Sequence, residues 1–260
     1  MKLQNLLLAI LAVTLVQCTP GDQKSKLKFA ISFTEQMSDQ AQDGRLLIML
    51  ANNDAREPRF QINEGVKAQL VFGVDVEGMK PGDEIVIDES AFGFPIKSMA
   101  DIPAGTYYAQ ALINRYETFN LKTGHTVKLP PDRGEGQQWN RKPGNFYSTP
   151  MKVEIDPVNG ETIEVTMDQE IPPIAEPEDT KYVKHIKIQS DLLTEFWGKP
   201  MTLGAHVLLP EGFEEHPEAK YPLMVFQGHF PSDFGGFRTD PPDPNIDTTD
   251  YSARFGIYGY

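Results

Sequence analysis

A single cysteine, Cys18, stands in the 260 residues, so no disulfide can form within the chain and stability rests on packing alone. Gly-x-Ser-x-Gly, the strained turn that presents a nucleophilic serine, occurs nowhere. Basic residues are the minority, 24 Lys and Arg against 37 Asp and Glu, for a formal charge of −13. Such a surface repels phosphate backbones, which excludes nucleic acid as an expected partner. No apolar run reaches the roughly 20 residues that a bilayer core requires. No period of 20–50 residues recurs, which excludes a repeat architecture. Asp240, Asp243, Asp247 and Asp250 share a proline-rich loop but lack the spacing, central glycine and terminal glutamate of a calcium loop. Neither a metal nor a cofactor is expected. What the chain does have is 40% hydrophobic and 10% aromatic residues, enough for packed cores.

The amino terminus reads as a targeting segment. Lys2 supplies positive charge, and Leu6 to Val16 form an apolar stretch of signal-peptide length. Cys18 follows Leu15-Val16-Gln17, which resembles a bacterial lipobox with Gln17 where Gly or Ala is usual. Residues 1–17 are therefore expected to be removed and Cys18 lipidated, with 18–26 as a polar tether. The alternative is an ordinary secretory signal that happens to hold a cysteine. The expected location is the envelope of a Gram-negative bacterium, periplasmic or at the cell surface, with the membrane as partner through the anchor.

Residues 27–170 carry strand patterning almost throughout. Apolar runs at 27–33, 45–52, 66–76, 84–90 and 106–116 are separated by turn signals such as Pro81-Gly82-Asp83. At 151–167 two alternating segments flank Asn159-Gly160, which reads as a β-hairpin. The pattern predicts an all-β, immunoglobulin-like antiparallel sandwich without helices. Residues 171–180, rich in proline and acid, read as a linker. A second domain is expected over 181–260, with strands at 183–192, 200–210 and 221–226. In the last of these, Leu223-Met224-Val225-Phe226 is continuously apolar, as in a strand covered on both faces. Three strands without a helix cannot cover both faces of such a sheet, and the chain is expected to stop within that domain.

The segment DTKYVKHIKIQSDLLTEFWGKPMTLGAHVLLPEGF (179–213), followed by YPLMVFQGHF (221–230), resembles the first strands of the esterase branch of the α/β-hydrolases, related to enterochelin and feruloyl esterases. EPRF (57–60), PAGTYYAQALINRYETF (103–119) and DRGEGQQWNRKPGNFYS (132–148) resemble the β-sandwich that precedes that domain in such proteins. The resemblance implies a serine hydrolase acting on carboxylic esters, either small molecules or polysaccharide-linked. It also implies an oxyanion loop after the third strand, with Gly228, His229 and Phe230 as candidate donors. No catalytic serine, acid or histidine is carried over, because Ser232 and Ser252 lack the flanking glycines. The chain alone is accordingly expected to be inactive. His206 falls within a strand and is read as a packing or edge residue, His185 likewise, and His216 falls in a polar loop; His229 is the one histidine with a positional argument, and it has no partner acid legible in sequence. Trp139 and Trp197 are read as packing residues, Trp197 at the hinge between domains. A surface-anchored binding module for carbohydrate or protein, with the sandwich as the working part, remains the competing function.

Overall fold

The computed structural model describes residues 25–228 and Phe234. Cys18, His229, Phe230, Ser232, Ser252 and the aspartates of 240–250 lie outside the described residues, as do the signal segment and most of the tether. The chain is mostly β, with 39% strand and 6% helix. It divides into two compact units. The first takes the described residues up to Ile113 together with Phe146–Gln169, and the second takes Asn114–Asn145 and the described residues from Glu170 onward.

Strands β1 (Lys28–Phe33), β2 (Gln42–Ala51), β3 (Leu70–Met79), β4 (Ile85–Ile87) and β6 (Gly105–Arg115) overlap the five apolar runs, whereas β5 (Phe92–Phe94) lies outside them. They are followed by β7 (Glu117–Asn120), β8 (Thr126–Leu129), β9 (Phe146–Tyr147), β10 (Met151–Ile155), β11 (Thr162–Met167) and β12 (Gln169–Glu170). Two of the sheets build a sandwich. One has the order β11-β1-β4, and the other β12-β9-β6-β2-β3-β5, with β10 also paired to β6. Alternation sends Phe29, Ile31 and Phe33 of β1 into the same core as Leu46, Ile48 and Leu50 of β2 and Phe72 of β3. Across the sandwich the rings of Phe33 and Phe146 lie 5.6 Å apart.

The expected hairpin at 151–167 does not form. β10 runs antiparallel to β6 in the larger sheet, while β11 runs parallel to β1 in the smaller one, so the intervening loop crosses between sheets. Asp156 holds that loop, its Oδ1 accepting from the N–H groups of Val158 (2.9 Å) and Asn159 (3.0 Å). The parallel β1–β11 pair also departs from an all-antiparallel sandwich. Two 3-10 turns, Pro58–Phe60 and Met99–Asp101, interrupt the strands.

Gln110 on β6 is fully buried, and the first of these turns meets it. The Arg59 N–H donates to Gln110 Oε1 at 3.1 Å, and Gln110 Nε2 donates to Glu57 Oε2 at 2.8 Å. The Arg59 guanidinium pairs with Glu57 at 2.8 Å and lies 4.1 Å from the centre of the Tyr147 ring. Burial works against the Glu57 charge, but the bonds from Gln110 and Arg59 outweigh it and hold the carboxyl below its usual range.

Gly93, at the centre of β5, shows how tightly the sandwich edge is filled. A Cβ there would stand 2.3 Å from Phe72 Cε1 and 2.4 Å from the Ile96 carbonyl oxygen. Gly93→Ala is expected to lower stability by about 1–3 kcal/mol through overpacking. A shift of the urea midpoint followed by far-UV circular dichroism measures this, and an unchanged midpoint contradicts it.

In the second unit, β7 pairs with β8, and β13 (Val183–Gln189) pairs with β14 (Thr202–Leu208). Between the latter two lies helix α1 (Asp191–Trp197), where strand had been expected to continue to 192. Its ends explain it. The Ser190 side chain caps the start by accepting from the Leu193 N–H, and Gly198 ends the helix at φ 68°. Trp197 packs edge-on against Phe119 with ring centres 5.4 Å apart, within this unit. Residues 221–226 form no strand, since none of the described strands pairs with them.

Candidate functional site

Gly228 is exposed and follows the apolar run within 221–226. The apolar side chains of that run stand in the open, with Leu223, Met224, Val225 and Phe226 between 79% and 88% exposed. The histidines expected within strands are directly opposite one another. His185 and His206 are register partners on β13 and β14, with ring centres 4.7 Å apart in an edge-on arrangement. Asp179 accepts from the His185 N–H at 2.8 Å and touches its Nδ1 at 3.1 Å, and these contacts hold the Asp179 carboxyl below its usual range. Among the described residues no three His, Cys, Asp or Glu side chains are grouped to hold a metal, and no helix is long and apolar enough to cross a membrane.

A polar concavity lies elsewhere in the second unit. Arg115, at the end of β6, leads through Tyr116 to Glu117, which opens β7. The loop 130–145 then returns with Arg133, Lys142, Pro143 and Gly144, and these seven residues line a cavity of about 130 Å³. Asn145 fixes the loop. Fully buried, it accepts from the Arg115 N–H at 3.0 Å and donates to the Trp139 carbonyl at 2.8 Å and to Asn114 Oδ1 at 3.3 Å. Gly144 turns at φ 85°, donating its N–H to the Ile171 carbonyl at 2.9 Å while its own carbonyl accepts from Arg115 Nη1 at 2.7 Å.

Charge is concentrated here. Glu117 is clamped between Arg133, which bonds its Oε1, and Lys199, whose Nζ donates to Oε2 at 2.7 Å. Burial alone would raise the Glu117 carboxyl, but these two cations overcome it and hold it below the usual range. Lys199 also rests 4.6 Å above the Phe119 ring. In the cavity lining Lys142 is 3% exposed, its ammonium donating to the Arg115 carbonyl and lying 3.5 Å from Asn145 Oδ1. Burial first, and then the nearby Arg133 and Arg115, lower its pKa to about 8 against the pull of Glu135 and Glu117. Burial likewise works against the Arg115 charge, which Glu170 supports.

None of Arg115, Glu117, Arg133, Lys142 or Lys199 was marked as a site residue by sequence reasoning. The available signal was the loop DRGEGQQWNRKPGN, whose glycines and cations interrupt a strand-rich region. No family model, no curated protein and no solved structure matches the chain.

Proposed function

We propose that the chain carries the β-sandwich and the opening strands of an exported esterase-like serine hydrolase, anchored to the envelope through Cys18, and that it does not hydrolyse esters by itself. The substrate class is a carboxylic ester, free or polysaccharide-linked. In this reading the sandwich is the immunoglobulin-like companion domain, and Gly228 with His229 and Phe230 begins the oxyanion loop. The observation that supports it is the exposed apolar surface of 183–228. Ile186, Ile188, Leu203 and the run Leu223–Phe226 are 41–88% exposed. Exposed apolar side chains of this kind offer a surface on which further layers of structure can pack.

The purified chain from residue 19 onward is expected to release no p-nitrophenol from p-nitrophenyl acetate above the uncatalysed rate. Hydrolysis abolished by a serine-directed phosphonate overturns the inactive reading. The nucleotide sequence beyond codon 260 is expected to encode a glycine-flanked serine in frame, and a frame without one overturns the hydrolase reading itself.

The competing reading, a surface-anchored binding module for carbohydrate or protein, is favoured by the self-contained sandwich core. Among the described residues no buried side-chain nitrogen or oxygen lacks a hydrogen-bond partner. Saturable glycan binding by the chain, with no in-frame serine downstream, selects this alternative.

A further inference from the structure

In a chain with 37 acidic residues against 24 basic ones, the cavity described above is lined by three cations, Arg115, Arg133 and Lys142, and one acid, Glu117. We propose that this cleft binds a small oxyanion, the carboxylate or sulfate-like group of an acidic ligand. The inference is independent of the hydrolase reading, since every residue it uses lies within the second unit.

Glu117 shows how an oxyanion is received. Its two carboxylate oxygens are taken separately by Arg133 and Lys199, as an incoming oxyanion would be. Glu117 thus acts as an internal competitor for the donors. The buried Lys142 supplies a second argument. Its ammonium faces the like charges of Arg115 and Arg133, and the acids Glu117 and Glu135 only partly offset them. Glu170 acts on Arg115, and Lys199 is engaged by Glu117. A charge buried beside two others of its own sign is costly, and a bound anion offsets that cost. At about 130 Å³ the cavity has the volume of roughly four waters, so it takes the charged group of a ligand and leaves the remainder outside.

Titration calorimetry on the full chain tests the proposal, with sodium sulfate and sodium galacturonate as parallel probes and ionic strength held constant with sodium chloride. Saturable one-site binding is expected. Sulfate alone binding would identify a tetrahedral dianion as the ligand group, and galacturonate binding a carboxylate. No saturable binding of either probe overturns the proposal. Arg133→Gln is expected to weaken binding about tenfold by removing one charge-assisted contact. Glu117→Gln is expected to strengthen it several-fold by releasing Arg133 and Lys199, an effect that a merely structural Glu117 would not produce. Unchanged affinity in both variants places the binding elsewhere and overturns the proposal. Should Arg133→Gln fail to fold, the wild-type pH profile decides. Sulfate keeps both charges from pH 7 to 9, so its affinity is expected to fall across that range as Lys142 loses its proton. A flat profile removes Lys142 from the site and overturns the inference.

Discussion

Replacing Phe72 with alanine is expected to destabilise the sandwich by about 3–5 kcal/mol, the range for truncating a buried phenylalanine. The ring is fully buried on β3, a strand flanked by β2 and β5. Phe72 sits opposite Ile48 on one side and Gly93 on the other, and its ring fills the space that Gly93 leaves open. Truncation removes the apolar contacts and leaves a cavity whose walls are strand backbone, which cannot collapse without breaking sheet hydrogen bonds. For a unit of this size the melting temperature is expected to fall by roughly 10 °C or more. Phe92 is the control. It stands on the neighbouring strand at 71% exposure, and Phe92→Ala is expected to change stability by no more than about 0.5 kcal/mol. Equal losses in the two variants, followed by circular dichroism, contradict the assigned core.

The second large effect depends on pH. Between pH 8 and 10.5 the wild-type chain is expected to gain about 3 kcal/mol of stability relative to Lys142→Met. In the folded state burial brings the Lys142 pKa to about 8, against 10.5 for a free lysine. Below pH 8 both states hold the proton, and the difference between wild type and variant is constant. Above it the folded state releases the proton while the unfolded state keeps it, so stability rises with pH until the unfolded lysine also titrates. Hydrogen bonds lost with the ammonium shift the whole curve but not its slope. Both tryptophans of the chain, Trp139 and Trp197, lie in the second unit, so their fluorescence in urea reports it directly. A difference independent of pH contradicts the buried charge.

The strands of the sandwich were legible because alternation is a local property. Leu46, Ile48 and Leu50 announce a buried face whatever strand lies beside them. Partnership is not local. The segments of β10 and β11 alternate, and Asn159-Gly160 between them suits a hairpin, yet the two belong to different sheets. A hairpin would have kept both in one sheet, whereas Val153 and Val165 meet the core from opposite sides. Helix α1 was missed although Ser190 and Gly198 bracket it, because the alternation of β13 masked where the period changes.

Residue pattern alone determined that the chain is rich in strand and that it holds no disulfide. These follow from side-chain chemistry and local periodicity, which need no knowledge of neighbours. Tertiary structure decided the pairing of β1 with β11 and the gathering of Arg115, Glu117, Arg133, Lys142 and Lys199 around one cleft. Those residues are separated by up to 84 positions, and the fully buried Asn145 and the left-handed turn at Gly144 bring the loop back to the end of β6. A charge cluster assembled from distant segments leaves no periodic trace, because its spacing is set by where the backbone returns.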